Sequence, residues 1–487
     1  MCLRHRSPVV AATSLWVVLA IVACSNSPFG DVGDATSAEI VGGDTTLFTG
    51  ESAQYTVVAV YPIGSGAPRS VAWSVSDTTR LGLAALPDWS AIVTARDTGP
   101  ATVYGFINEE FHDSVRFTIV ARGGVRWRRA LAANPTLYAA LDSAQVYATT
   151  TDNQLVVVSA VDGAPVRGTA LCAGALGPSI GGGGVTSIGQ DCVARITRTG
   201  GPVWSEAFGQ AESGAAIGLD DASLVVSAEG SGGSAAVVLS RISALGAIVW
   251  RDTLVTALQP TGAALAIGSG GSIYVPWRTA TDSSRLSEFT SAGAPAWTLE
   301  LPGRVRLASP AVAGTRVVVT YDGGVLAALT TGDTVWSRAF ADASPAFSST
   351  EAASSPTVDG SGNIYVQTPH GLLSYTNAGV VRWVADSLGG GDATLGVGAP
   401  TFLRDATLVV PCGGDVCGVA SATGARVWRT ALGGVIGGAT VGPDGTIIVP
   451  RRVGGAGELV GLWNRSGLHV SGWPTEGFDA ARSRRVH

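Results

Sequence analysis

Between residues 140 and 460 the chain alternates short apolar runs with turns rich in glycine and small polar residues, and the apolar runs recur in register. They are QVYATT at 145, GVTSIG at 184, SLVVSA at 223, SIYVPW at 272, RVVVTY at 316, NIYVQT at 363, TLVVPC at 407 and TIIVPR at 446. Each is short, rich in β-branched residues and bounded by turn residues, which predicts eight buried strands. Each is followed by a turn, a second strand and a slot in which tryptophan stands four residues after glycine. Trp127, Trp204, Trp250, Trp297, Trp336, Trp383 and Trp428 fill seven slots, after Gly123, Gly200, Gly246, Gly293, Gly332, Gly379 and Gly424. Two weaker copies, GAPVR and GLHVS, put Arg167 and Ser471 in the same place, and neighbouring slots lie 37 to 47 residues apart. Shorter segments, SPAV at 309, SPTV at 355 and APTF at 399, come one step before the apolar runs. A repeat near forty residues holding four strands is one blade of a β-propeller. Residues 122–487 are therefore expected to form an eight-bladed propeller, with the strand at Trp127 completing the last blade.

Tryptophan suits such a slot because adjacent blades bury one flat face against another, and a large aromatic covers the most area per residue. The preceding glycine permits a tight turn. These residues resemble the tryptophan-docking repeat of the pyrroloquinoline-quinone-type (PQQ-like) propeller family, whose fuller pattern is Ala-x-Asp-x-x-Thr-Gly-x-x-x-Trp. Thr331-Gly332 and Thr423-Gly424 match its Thr-Gly portion, whereas Ser159, Thr197, Ile242, Phe289, Ala328, Tyr375 and Ala420 stand where the family has aspartate. The tail SGWPTEGFDAARSR at 471–484 is similar to a Trp-Pro-x-x-x-x-Asp segment found beside such propellers.

Residues 37–121 alternate and turn every eight to twelve residues, which suggests a small β-sandwich. Gly50-Glu51 before the strand Ala53 to Val60, VAWSVSD at 71–77, IVTARDTGPATVYG at 92–105 and a closing strand from Asp113 to Val120 resemble a group 2 bacterial Ig-like domain. That resemblance implies Trp73 in the core between the sheets and transfers no functional residue.

At the amino terminus Arg4 and Arg6 precede an apolar run from Val9 to Ala23 that closes in Ile-Val-Ala-Cys at 21–24. This resembles a bacterial lipoprotein signal, with residues 1–23 removed and Cys24 lipidated; the alternative is an uncleaved membrane anchor, for which the run is short. Ser25 fits an outer-membrane destination, and residues 24–36 read as a tether. Losing Arg4 and Arg6 takes the net charge from −6 to −8. An acidic chain without a basic run, and without any lysine, argues against nucleic acid as a partner. Four cysteines remain after Cys24, an even count that reads as disulfides in an exported protein. Cys412 and Cys417 face each other across a hairpin, leaving Cys172 to pair with Cys192. A metal site is the competing reading, but no histidine lies near either pair.

Signals for catalysis are few. GPSIG at 177–181 matches Gly-x-Ser-x-Gly around Ser179 but lacks the strand-turn-helix setting that exposes such a nucleophile. His370 sits in the turn TPHG, and GGGG at 181–184 leads into no helix and so is no phosphate loop. Quinone-dependent dehydrogenases share the propeller, but they resemble one another in adjacent cysteines that this chain lacks, and fold alone carries no reaction. No catalytic residue, metal ligand or cofactor is therefore expected. The expectation is a non-catalytic lipoprotein of the cell envelope, tethered by its lipid to the outer membrane and facing the periplasm or the cell surface. Its rim loops would bind envelope proteins, as in the propeller lipoproteins that assist outer-membrane barrel assembly, which lack an Ig-like domain. A glycan-binding surface protein and a quinone-dependent dehydrogenase are the alternatives.

Overall fold

The computed structural model describes the chain except residues 1–34, 62–64, 67–69, 108, 173–175, 190, 209, 212–214, 219, 230–235, 257–262, 280–282, 391–397, 473, 476–478 and 480–487. The signal segment, Cys24 and nearly all of the tether lie outside the described residues. Two compact units divide between Ile119 and Val120. Among the described residues no helix is long and apolar enough to cross a membrane.

The first unit is a two-sheet sandwich. Ser37–Gly42, Ser52–Val60, Ser90–Ala95 and Leu81–Ala85 form one sheet in that order, and Thr46–Phe48, Phe111–Val120, Gly99–Ile107 and Val71–Val75 form the other. Alternation along Gly99–Ile107 sends Ala101, Val103 and Ile107 inward. Tyr55 and Phe117 meet edge to face at 5.2 Å in the core they share with Leu47, Leu81 and Val93. Trp73 faces inward but is only half-buried, because its strand is the edge of its sheet.

The second unit is a β-propeller in which the described residues form eight antiparallel sheets of four or five strands. Seven run consecutively along the chain, from Pro135–Leu141, Gln145–Thr150, Gln154–Ser159 and Pro165–Ala170 in the first to Thr401–Phe402, Thr407–Cys412, Asp415–Ala420 and Arg426–Thr430 in the seventh. The eighth joins the two ends of the unit: Val125–Leu131 pairs with Ala456–Leu462, next to Ile447–Val453. Thus the strand bearing Trp127 closes the array, as its slot predicted. The GLHVS copy does not supply a blade strand. The edge it would need is already paired with Val125–Leu131, so Leu468 instead bridges to Leu403 in the seventh sheet.

Tryptophan and glycine lock neighbouring sheets. A Cβ added to Gly163 would strike the Trp127 ring, one on Gly246 the Trp204 ring, and so on through Gly293 and Trp250, Gly332 and Trp297, Gly379 and Trp336, and Gly424 and Trp383. Gly123 meets Trp428 across the junction, and Gly200 meets Arg167, the one slot without tryptophan. Each ring thus lies on the bare backbone of the following turn, where φ is positive, as at Gly332 (97°). The indole N–H then donates to a carbonyl of that turn: Trp127 to Ala160 (3.1 Å), Trp204 to Ala244 (3.0 Å), Trp336 to Asn377 (3.0 Å) and Trp383 to Ser421 (2.9 Å). Trp428 is the exception, its buried Nε1 having no acceptor among the described residues. Its turn is assembled from two chain segments, Gly123 and Gly124 being tied to Trp463, and the Ala121 carbonyl there accepts from Gly124 N–H at 2.9 Å.

Candidate functional site

Antiparallel strands place the turns after the first and third strands of every sheet at one end of the propeller, and the turns after the second strand, with the links between sheets, at the other. The first, the turn end, is built from repeated devices. Thr197, Ser243, Thr290 and Thr376 each accept the backbone N–H four residues on, capping the turn that receives a tryptophan. Asp142, Asp220, Asp359, Asp405 and Asp444 each accept the N–H two residues on in the other set of turns. The GGGG segment belongs here. Gly183 N–H donates to Asp221 Oδ2 at 2.7 Å, and a Cβ on Gly181 would collide with that carboxylate. Asp221 in turn pairs with Arg195, which is 1% exposed. These glycines let backbone approach an ion pair whose arginine is buried.

The innermost strands spend their hydroxyls on neighbours. Ser179 is buried and donates to the Ala215 carbonyl at 2.7 Å, so it is no exposed nucleophile; Thr357 donates to the Pro400 carbonyl, and Thr401 to that of Ala439 at 2.9 Å. The tail reaches the same inner strands: Phe402 N–H donates to the Pro474 carbonyl at 2.6 Å, Thr475 Oγ1 lies 3.1 Å from Thr401 Oγ1, and the His469 ring packs at a tilt against Phe402, centroids 4.7 Å apart. Thr475 and Asp479 adjoin Tyr138 and Thr440, so the tail occupies space beside the first, seventh and eighth sheets at the axis.

A cavity of about 300 Å³ opens at the turn end between the fifth and sixth sheets, beside Gly314, Arg316, Asp359, Asn377 and Gly472. Its charged groups are committed. Arg316 donates to the Asn377 carbonyl at 2.7 Å, and the Asp359 carboxylate accepts from Ser361, Asn363 and the Tyr365 hydroxyl. Burial, with Asp359 adjacent, pushes the Tyr365 phenol up to about 12, so it remains a neutral donor.

The opposite, connection end carries single devices. Both disulfides lie there: Cys172–Cys192 ties a link between sheets to a turn, with Cα atoms 5.6 Å apart, and Cys412–Cys417 crosses a hairpin at 6.0 Å. Asp191 adjoins the first pair within 4.8 Å. With sulfur bonded to sulfur, no thiolate is offered to a metal. The Asp415 carboxyl is pushed up by burial, but Arg429 and the N–H groups of Leu432 and Gly433 outweigh this and hold it below its ordinary value. The longest link, residues 340–356, folds Glu351 into the protein, where it accepts from Ser348 and meets His370 Nδ1 at 2.6 Å. His370 is the expected turn histidine, 63% exposed, but one side of its ring is fixed by a buried carboxylate. Asp322, also buried, meets Arg306 Nε at 2.9 Å; burial pushes its carboxyl up against the pull of Arg306, Arg304 and Arg278. None of these pairs recurs with the repeat, so no period in the sequence marks them.

No curated protein matches the chain. Among solved structures, a computationally designed protein, Ika8, is 11% identical over 69% of this chain and 100% of its own, with a TM-score of 0.53. The quinohemoprotein alcohol dehydrogenase of Comamonas testosteroni is 10% identical over 72% of this chain and 77% of its own, with a TM-score of 0.54. BamB from Moraxella catarrhalis is 15% identical over 83% of this chain and 99% of its own, with a TM-score of 0.37. The first two likenesses are of fold alone. At the level of sequence, residues 234–388 match the PQQ_2 repeat family, described as outer membrane protein assembly factor BamB.

Proposed function

We propose that this chain is a lipid-anchored protein of the cell envelope whose propeller, each of the eight sheets being one blade, is a non-catalytic scaffold for other envelope proteins during envelope or outer-membrane assembly. The observation that carries this reading is the match of residues 234–388 to a family described by its assembly role. In this reading the sandwich is a bacterial Ig-like spacer, Cys24 bears the lipid, and the chain faces the periplasm or the cell surface. Partners dock on the connection end, whose links differ in length and chemistry from blade to blade and can therefore specify a surface, as loops on a rigid scaffold do.

The dehydrogenase reading has the fold likeness in its favour but not the residues. Cys412 and Cys417 are not adjacent, and the axial hydroxyls of Ser179, Thr357 and Thr401 already donate to neighbouring carbonyls. Crosslinking in intact envelopes followed by capture on the tagged chain tests the scaffold. A specific envelope protein should be recovered, and purified protein should not bind pyrroloquinoline quinone with calcium. Quinone binding with alcohol turnover would replace the scaffold by the enzyme, and affinity for surface polysaccharide alone would replace it by the glycan binder. Replacing Cys24 with alanine should abolish palmitate labelling and leave an unprocessed precursor; labelling that persists would restore the membrane-anchor alternative.

A further inference from the structure

The cavity between the fifth and sixth sheets sits beside an unusually short turn. The inner hairpin of the fifth sheet pairs Ala313 with Arg316 and so turns on two residues, whereas that of the sixth, pairing Val358 with Ile364, turns on five. The second and third sheets repeat this combination: Gly181 pairs with Gly184 across two residues, and Ile217 with Ser223 across five. A short turn beside a long one leaves a gap. Between the second and third sheets the protein fills it. Asp221, fourth in its turn with φ 64°, sends its carboxylate to the short turn, accepts the Gly183 N–H at 2.7 Å and pairs with Arg195. Between the fifth and sixth sheets that filler is missing, because the fourth turn residue is Gly362, at φ 80°. Thr315 takes the place of Gly183 in the short turn, and its N–H has no acceptor among the described residues. Arg316 commits one nitrogen, Nη1, to the Asn377 carbonyl and meets no carboxylate among the described residues, which leaves Nε and Nη2 to donate. The nearby Asp359 carboxylate is already taken up by two backbone N–H groups, the Asn363 amide and the Tyr365 hydroxyl, on which Arg382 also donates.

We propose that this cavity binds a sugar acid, free or as the terminal residue of an acidic glycan, whose carboxylate takes the place that Asp221 holds at the other junction. Thr315 N–H and the Arg316 guanidinium receive the carboxylate, a charge-assisted pairing stronger than one between neutral groups. The hydroxyls of Thr315 and Ser361 and the Asn377 amide are exposed beside the cavity, and they face the hydroxyl groups of the sugar. A volume of about 300 Å³ suits one monosaccharide and stands at the lower end of small-ligand clefts. The site arises where the repeated construction of the turn end lapses, and it is independent of the scaffold reading, whose partners dock on the opposite end.

Isothermal titration calorimetry on the full chain tests this with glucuronate, an oligosaccharide ending in glucuronate, glucose and acetate. The parent should bind glucuronate or the oligosaccharide, and whichever binds more tightly identifies the source of the carboxylate. Glucose lacks the charge and acetate lacks the hydroxyls, so both should bind far more weakly. Arg316→Gln removes the charged donor and should weaken binding on the order of tenfold or more. Gly362→Asp supplies from the protein the carboxylate that the ligand would bring, so it should abolish binding. Asp221 already holds an aspartate in left-handed backbone at the matching position, and the nearest atoms to a Cβ on Gly362 belong to the exposed Asn377 side chain, which can move aside. Both variants should melt close to the parent; if Gly362→Asp does not fold, Arg316→Gln still decides the matter. Failure of the parent to bind either acid, binding of glucose or acetate as tight as that of the acids, or equal binding by Arg316→Gln overturns the proposal.

Discussion

The two ends of the propeller are held together by different means. At the turn end one solution is repeated around the ring: an indole on a bare glycine, a hydroxyl closing the turn behind it, and an aspartate closing the turn beside it. At the connection end nothing repeats, and stability comes from two disulfides, the Glu351–His370 pair, the Asp322–Arg306 pair and the contacts of Asp415. Neighbouring sheets impose the same demand at every junction, so one solution can be copied. Links that vary in length must each be secured individually. The end under a common packing constraint is thus the conservative one, and the end freed from it can carry recognition.

The largest expected effect tests the repeated device. Trp336 is 7% exposed, packs at a tilt beside Tyr375 with centroids 6.2 Å apart, and donates to Asn377. Trp336→Ala should cost about 3 to 5 kcal/mol in denaturant unfolding, with any loss of binding following from the loss of fold. One ligand cannot use seven equivalent positions around a ring. A variant that melts like the parent would show that the indoles do not lock the sheets, and the contrast between the ends would collapse.

Next in size are the staples of the other end. In the chain-entropy model, removing Cys172–Cys192 with a pair of serines should cost about 3 kcal/mol and removing Cys412–Cys417 about 2 kcal/mol, because the second closes a shorter loop. Unfolding with and without reductant measures both. If reduction leaves stability unchanged, the connection end is secured by its packing and not by covalent links.

How much of this was legible follows the same division. Gly332 and Trp336 could be read from the sequence because their spacing recurs, and the closing strand at Trp127 followed from one surplus slot. Two features at the turn end escaped. The capping hydroxyls of Thr197, Ser243, Thr290 and Thr376 were hidden because the family pattern has aspartate, mostly one position earlier. Ser471 passed for a slot residue because spacing alone cannot tell a strand from a tail whose sheet edge is already taken. At the connection end the cysteines announced themselves, being scarce and even in number, and His370 showed only as a turn residue. Glu351 with His370, and Arg306 with Asp322, are single pairs brought together by the fold, and a pair that occurs once leaves no period to detect.

A smaller effect would sharpen the account of the turn end at its weakest junction. Arg167 occupies a tryptophan slot, lies 5.9 Å from the centre of the Tyr147 ring, and has buried Nε and NH2 groups without acceptors among the described residues. Arg167→Trp would place a ring against Gly200 and an indole N–H within reach of the turn that Gly201 closes. It should gain about 1 kcal/mol, the usual yield of restoring a repeat's consensus residue. A loss of stability would mean that this junction has been repacked around the guanidinium.

The smallest expected effect sets one carboxylate from each end against the other. Burial pushes Asp444, at the turn end, upward, but Arg126 and Thr446 outweigh it and hold the carboxyl below its ordinary 3.8. Burial pushes Asp322, at the connection end, above 3.8, and its arginines do not fully offset the shift. Asp444 therefore contributes stability above the unfolded value that is lost as the pH falls through its lower folded value. Ionised Asp322 has the opposite sign: it costs stability near neutrality, and that cost disappears as the pH falls through its raised folded value. Asp444→Asn should lose about 0.5 kcal/mol at neutral pH, the size expected for a half-exposed ion pair, and the gap from the parent should close in acid. Asp322→Asn should compare best with the parent at neutral pH and less well in acid. Denaturant unfolding across the acid range measures both trends, and parallel curves for the two variants would show that the ends do not differ in how they hold their carboxylates.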